Sequence, residues 1–383
     1  MRSISWKTAA WASGAVIAVA GGTVGIVAAT QGGGASAADG KPASAAGPAR
    51  PAVARRTPLA PLRLVSISPA SGSRAANGAG PITVTYNQPL PPSASLPRLS
   101  PAIAGTWRRT RDSAVFTPST GYSAGTRVTV TVAGQGNTRD RSGQSSIFTT
   151  GEYSTLRLQQ VLAQLGYLPL TWTQAAGATA PVQDAAAQLA AAYAPSAGGF
   201  SWQPGYPADL RGFWREGSAN TLDEGAITGF EADHGLATDG VAGAAVWTAL
   251  LHAAATDQRN THGYSYAIAS QRTPETLTIW HDGKKVLTSP TNTGISVAPS
   301  PVGTFPVYEK LPFQIMQGTN PDGSHYADPV QWVSYFSGGS AVHYFDRASY
   351  GWPQSLGCVE LPYTAAAEAY PYLPYGTLVT VTP

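Results

Sequence analysis

Between residues 62 and 150 apolar and polar side chains alternate with a period of two. The pattern runs through Leu64-Val-Ser-Ile-Ser, Ile82-Thr-Val-Thr-Tyr, Ser113-Ala-Val-Phe, Arg127-Val-Thr-Val-Thr-Val and Ser146-Ile-Phe-Thr. Such alternation, broken by prolines and glycines, predicts short half-buried strands arranged as a small sandwich. The period then changes. Leu156-Arg-Leu-Gln-Gln-Val-Leu-Ala-Gln-Leu has helical spacing and stops at Gly166, a C-cap signal. Ala226 to Leu250 gives two more helical patterns around a Gly-rich turn. Between these ends, residues 170–224 form an insertion with an Ala-rich helix (Val182 to Ala192) and an aromatic, Pro-rich loop. Alternation resumes after about residue 264, with Asp282-Gly283 placed as a two-residue hairpin turn. The fold class expected is multidomain and mainly β. It comprises an N-terminal apolar helix (1–30), a linker (31–61), a sandwich (62–150), a small helical domain (151–255) and a mostly-β domain (264–383).

Arg2 and Lys7 precede an uncharged run from Thr8 to Thr30, which has the form of an export signal. The run is longer than a signal-peptide core of about 7 to 15 residues and long enough for a bilayer core of about 30 Å. Ala35-Ser-Ala37 nevertheless offers a cleavage site. Cleaved signal peptide and retained anchor both stay open, the length favouring the anchor, and either puts the rest of the chain outside the cytoplasm. The Gly, Ala, Ser and Pro of residues 31–61 bury no core and read as a tether.

Charge sharpens this picture. The net charge of +3 hides 16 Lys+Arg against 4 Asp+Glu up to residue 157 and 8 against 17 beyond it. A basic front suits an anionic membrane surface or wall polymer. Nucleic acid is disfavoured, because the charges are dispersed through strands without a recognition motif.

The chain has one cysteine, Cys358, in Gly351-Trp-Pro-Gln-Ser-Leu-Gly-Cys-Val-Glu-Leu-Pro-Tyr. In an arbitrary chain such a residue is more often a small buried hydrophobe than a nucleophile. In an exported protein a lone thiol has no internal disulfide partner, and here its neighbours are permissive. Ser355 and Gly357 let a substrate approach, and backbone N–H groups near Gly357 and Cys358 are placed to meet an oxyanion. A thiol needs a base, and His343 lies on a short predicted strand fifteen residues upstream. His325, the rival base, is read as lying on a loop. That position suits a gate over the substrate pocket together with Tyr326, Trp332 and Tyr335. No HExxH or Cys/His cluster supports a metal site, and the chemistry needs no cofactor.

His343, the gap, and Ser355-Leu-Gly-Cys-Val-Glu-Leu resemble the signature of the L,D-transpeptidase (YkuD) catalytic domain. The resemblance extends back to Leu277-Thr-Ile-Trp-His-Asp-Gly-Lys-Lys-Val and Thr293-Gly-Ile-Ser-Val-Ala-Pro-Ser-Pro-Val-Gly-Thr-Phe, and on to Gly376-Thr-Leu-Val-Thr-Val. It implies an acyltransferase acting on peptidoglycan stem peptides. Cys358 would be the nucleophile, His343 the base, and Gly357 and Ser355 would complete the catalytic turn. Water in place of an acceptor amine would make it an L,D-carboxypeptidase, and a wall-binding protein with a decayed catalytic domain is the non-enzymatic alternative. Residues 62–150 resemble a bacterial immunoglobulin-like domain, read as a spacer. The two ends of 151–255 resemble a peptidoglycan-binding helical module, whose partner would be wall glycan unless it only packs.

The sequence departs from the family at three places. Leu356 replaces the histidine and Glu360 the arginine of the usual Ser-His-Gly-Cys-Val-Arg, and Tyr344 follows the base where Gly or Ser is common. With Tyr326, Trp332 and Tyr335, these three are the expected substrate-contact residues. Two residues beyond the thiol on an extended chain, Glu360 would point to the thiol's side and present a carboxylate to a cationic group. Its other reading is as a cap for the helix starting near Pro362.

Overall fold

The computed structural model of the protein describes residues 61–133, 144–178 and 184–383. The apolar run and nearly all of the tether lie outside the described residues, as does the expected start of the Ala-rich helix at Val182. Among the described residues no helix is long and apolar enough to cross a membrane.

Seven strands form the first layer pair: β1 (Leu64–Ser68), β2 (Ile82–Tyr86), β3 (Arg98–Ser100), β4 (Gly105–Arg109), β5 (Ser113–Pro118), β6 (Arg127–Val132) and β7 (Gln144–Thr149). They make antiparallel sheets in the orders β1-β2-β5-β4 and β3-β6-β7. Alternation explains the core: Val84, Ala114 and Phe116 of one sheet and Val128, Val130 and Phe148 of the other bury in one cluster. Two strands had no clear signal in the sequence. β3 is three residues between prolines, and β4 is an edge strand carrying Arg108 and Arg109, a pattern that discourages further pairing.

The helical region contains α1 (Thr155–Gln164), β8 (Leu170–Gln174), α2 (Ala185–Tyr193), β9 (Gly198–Trp202), α3 (Ala208–Arg211), α4 (Thr221–Asp233) and α5 (Ala244–Thr256). Ser154 caps α1, and the turn at Gly166 (φ 83°) returns the Tyr167 N–H to Leu162 O at 2.9 Å, which ends the helix as its glycine predicts. The insertion is more ordered than a helix and a loop. Leu170-Thr-Trp-Thr-Gln pairs with Gly198-Gly-Phe-Ser-Trp in a two-stranded sheet, and α4 starts within it, where the Asn220 side chain accepts from the N–H groups of Leu222 and Asp223.

The last region holds β10 (Ser265–Ser270), β11 (Thr276–His281), β12 (Lys284–Pro290), β13 (Gly303–Pro306), β14 (Glu309–Thr319), β15 (His325–Ser337), β16 (Ser340–Tyr344), β17 (Val359–Leu361), α6 (Tyr363–Ala369), a 3-10 turn (Tyr370–Tyr372) and β18 (Leu378–Thr382). One sheet runs β12-β11-β10-β18-β13 and the other β14-β15-β16-β17. Asp282 (φ 46°) and Gly283 (φ 72°) make the expected hairpin turn. Strands β10 and β18 are apolar on both faces because both faces are covered. Ala267, Ala269, Val379 and Val381 pack into the core between the two sheets, whereas Tyr266 and Leu378 join the core of the helical region. Backbones nearly touch at this join. A Cβ on Gly225 would lie 2.6 Å from Gly376 O, and one on Gly205 would lie 1.9 Å from Gly283 O.

Candidate active site

Parallel pairing of β16 with β17 sets His343 beside Glu360 and leaves Cys358 at the mouth of β17. The cysteine turn is stitched to the segment 291–295. Glu360 N and Asn292 N exchange bonds with each other's carbonyls at 2.9 and 3.0 Å, Ser355 N donates to Thr293 O at 3.0 Å, and Ile295 N donates to Ser355 O at 2.9 Å. Buried Glu275 holds that segment, accepting from the Thr293 N–H and hydroxyl at 2.6 and 2.8 Å.

Cys358 and His343 share a cleft of about 650 Å³, roofed by the tip of the β14–β15 hairpin through Met316, Gln317, Asn320 and Asp322. The imidazole is 3% exposed, and its Nδ1 is 2.9 Å from Tyr344 O. A carbonyl only accepts, so Nδ1 carries the proton and Nε2 keeps its lone pair. Burial pushes the His343 pKa down, against opposing pulls from that hydrogen bond and from Glu360. The imidazole is therefore neutral, as a base must be. Burial pushes the Cys358 thiol up to about 11; a backbone hydrogen bond from Ala341 opposes the rise and Glu360 adds to it. The resting sulfur is a thiol that donates weakly to Gly339 O at 3.8 Å, with no hydrogen bond to His343. Proton transfer from this sulfur to His343 would require a closer approach than the resting structure has.

The turn differs from its expected use in one respect. Gly357 (φ 113°) adopts a conformation that suits glycine, but its N–H is engaged, donating to Ser355 Oγ at 3.1 Å. Ser355 in turn donates to Cys358 O at 2.7 Å, and Ser300 donates to the same carbonyl at 3.2 Å. The Cys358 N–H, with no acceptor among the described residues, is left as the backbone donor for an oxyanion. Ser355 is a positioning residue. Ser355→Ala should cost about 1–3 kcal/mol in urea denaturation by stranding a buried N–H and weakening the nucleophile turn. An unchanged midpoint would count against this knot.

Tyr326, Tyr335, Leu356 and Glu360 line the cleft; Trp332 and Tyr344 do not. Tyr344 follows His343 on a strand, so alternation sends it to the opposite face. Trp332 (φ 54°) sits where the pairing of β15 with β16 slips between Gln331 and Ser334, and that irregularity turns it away. Both rings pack on Tyr363, at 4.5 Å from Trp332 and 5.2 Å from Tyr344. His325 opens β15 rather than lying on a loop, is exposed, and approaches Thr319 Oγ1 at 3.3 Å at the hairpin tip. Glu360 neither caps α6, which has no side-chain cap, nor offers a free carboxylate. Both its oxygens accept from Arg347, at 2.7 and 2.8 Å. Arg347, Asp328 and Gln354, which the sequence left unremarked, also line the cleft. A larger cavity of about 840 Å³ between the sandwich and the helical region, lined by Tyr153, Asp223, Glu224 and Trp247, contains no thiol. Among the described residues no group of His, Cys, Asp and Glu is arranged to hold a metal ion.

Residues 265–381 match the family model of the L,D-transpeptidase (YkuD) catalytic domain, so a domain of this type follows the helical region. No curated protein matches the chain. Among solved structures, an L,D-transpeptidase from Mycobacterium smegmatis is 16% identical over 85% of this chain and 100% of its own, with a TM-score of 0.29. L,D-transpeptidase 3 from Mycobacterium tuberculosis is 16% identical over 84% of this chain and 98% of its own, with a TM-score of 0.29. The catalytic domain of the E. faecium L,D-transpeptidase is 26% identical over 32% of this chain and 100% of its own, with a TM-score of 0.29.

Proposed function

We propose that the protein is an exported peptidoglycan L,D-transpeptidase working through a Cys358 acyl-enzyme. The observation that carries this reading is the chain's single thiol sharing a cleft with an imidazole whose Nδ1 is fixed by Tyr344 O, inside the segment that matches the family. His343 Nε2 takes the Sγ proton as sulfur attacks the carbonyl of the third residue of a tetrapeptide stem. The amide C–N bond breaks, the same proton passes to the departing D-alanine nitrogen, and a thioester remains. An acceptor amine then attacks the thioester, its surplus proton returns through His343, and the thiol is restored. The Cys358 N–H faces the charge that develops on the carbonyl oxygen. In this reading the seven-stranded layer is an immunoglobulin-like spacer, and the helical module contacts wall glycan. The N-terminal run exports the chain and holds it near the outer membrane face.

The polar roof of Gln317, Asn320 and Asp322 favours a second outcome, hydrolysis of the thioester as an L,D-carboxypeptidase. A carbapenem-type β-lactam presents a strained carbonyl to the same sulfur, so intact-protein mass spectrometry should show one adduct per chain and none on Cys358→Ser. A folded sample that gains no adduct, or an adduct that survives the substitution, overturns the acyl-enzyme.

A further inference from the structure

Glu360 was expected to give the cleft a free negative charge, but its pairing with Arg347 neutralises that charge and brings a cation to the cleft. The carboxylate is almost fully buried, with its side chain 5% exposed, and takes two hydrogen bonds side-on from Arg347, through Nε and Nη2. Nη2 also donates to Gln354 O at 3.2 Å, and the guanidinium stacks over Phe345 at 4.6 Å. These contacts fix the plane of the group. Nη1 has no acceptor among the described residues, and Arg347, 28% exposed, lines the cleft with Cys358 and His343. Asp328 and Asp322 also face this cleft; neither forms an ion pair with Arg347, but the charge of Asp328 acts on the guanidinium and would compete with a ligand carboxylate.

A buried carboxylate is costly to retain as a source of stability, because desolvation consumes much of the attraction. Its evident service here is to aim a cation. Arginine held through Nε and Nη2 keeps only Nη1 as a free donor, a fixed and permanently charged N–H group suited to one carboxylate oxygen. We propose that Arg347, positioned by Glu360, binds a free carboxylate of the donor peptide whose carbonyl Cys358 attacks. The inference rests on the acyl-transfer reading for the identity of the peptide, and on geometry for the free cationic donor.

The test uses synthetic tetrapeptide stems, each with all carboxyls free or with one amidated, either at the C-terminus or on a side chain. Affinity is measured on Cys358→Ala protein, with and without Arg347→Gln, and kcat/KM on the enzyme with Cys358 intact. One free carboxylate should improve binding by about 10- to 100-fold over its amide, the range for a hydrogen bond to a charged group. Arg347→Gln should bring that ratio near one, and the position whose amidation mimics the substitution identifies the carboxylate. Glu360→Gln should erode the ratio less, as befits a residue acting through another. A wild-type near-UV circular dichroism spectrum and urea unfolding transition check that each variant is folded. If Arg347→Gln fails to fold, Arg347→Lys, which keeps the charge but cannot both hold Glu360 and present a second fixed donor, should show the reduced ratio. An unchanged ratio in a folded Arg347 variant overturns the proposal. Discrimination in binding without turnover by wild-type enzyme defeats the transferase reading instead and leaves the carboxylate site standing.

Discussion

His343→Ala should lower the rate of Cys358 acylation near pH 7 by about two orders of magnitude or more, the scale for losing a general base. The side chain is buried, and its one hydrogen bond goes to the adjacent carbonyl, so its removal leaves the 291–295 stitching untouched. The loss should shrink as pH rises towards 11, because solvent then removes the thiol proton without help. His325→Ala should act at the wild-type rate, since His325 lies at the exposed hairpin tip. The experiment is stopped-flow acylation across pH. A His343→Ala enzyme that acylates normally at pH 7, or a deficit that persists undiminished at high pH, would remove His343 from the role of base.

The second large effect concerns the free enzyme. With its thiol pushed up to about 11, Cys358 at pH 7 holds roughly a hundredfold less thiolate than a cysteine of the ordinary value near 9, since each unit is a factor of ten. Iodoacetamide labelling without substrate should therefore be about a hundredfold slower than for an exposed cysteine peptide, climbing tenfold per pH unit and levelling only near 11. A resting thiolate–imidazolium pair would instead label rapidly and level off in the range where histidine titrates. A plateau near pH 6 to 7 would contradict the neutral pair described here. Slow labelling has a chemical corollary: a thiol that rests protonated resists stray oxidants until substrate arrives.

Much of the site could be read from local patterns. The lone thiol, its Ser355 and Gly357 neighbours and a histidine on a nearby strand are features of short stretches, and the structure brings all four into one region. What escaped depended on register between distant segments. Arg347 acquires its meaning only because β16 and β17 run parallel with His343 opposite Glu360, which lets a residue beyond one strand reach a carboxylate on the other. The occupied Gly357 N–H follows from a side chain two residues away folding back onto it, which residue type alone does not reveal. Trp332 was placed in a gate with His325, whereas it lies on a long strand whose register slip turns it away from the cleft. Tyr344 needed no structure, because its place beside His343 already sent it to the other face. The same contrast holds for the fold: long alternating strands announced themselves, whereas β3 and the arginine-bearing β4 are too short or too polar to do so.

Glycine facing backbone at Gly225 and Gly376, and again at Gly205 and Gly283, limits which parts of the chain can be exchanged. Neither surface tolerates even a methyl group from the other, and Tyr266 and Leu378 are sealed in a core that belongs to the neighbouring helices. A recombination breakpoint between them would have to deliver matching glycines and a matching apolar face on both sides at once. In this chain, exchanging the helices or the cysteine-bearing sheets alone would therefore clash at the glycines or uncover Tyr266 and Leu378.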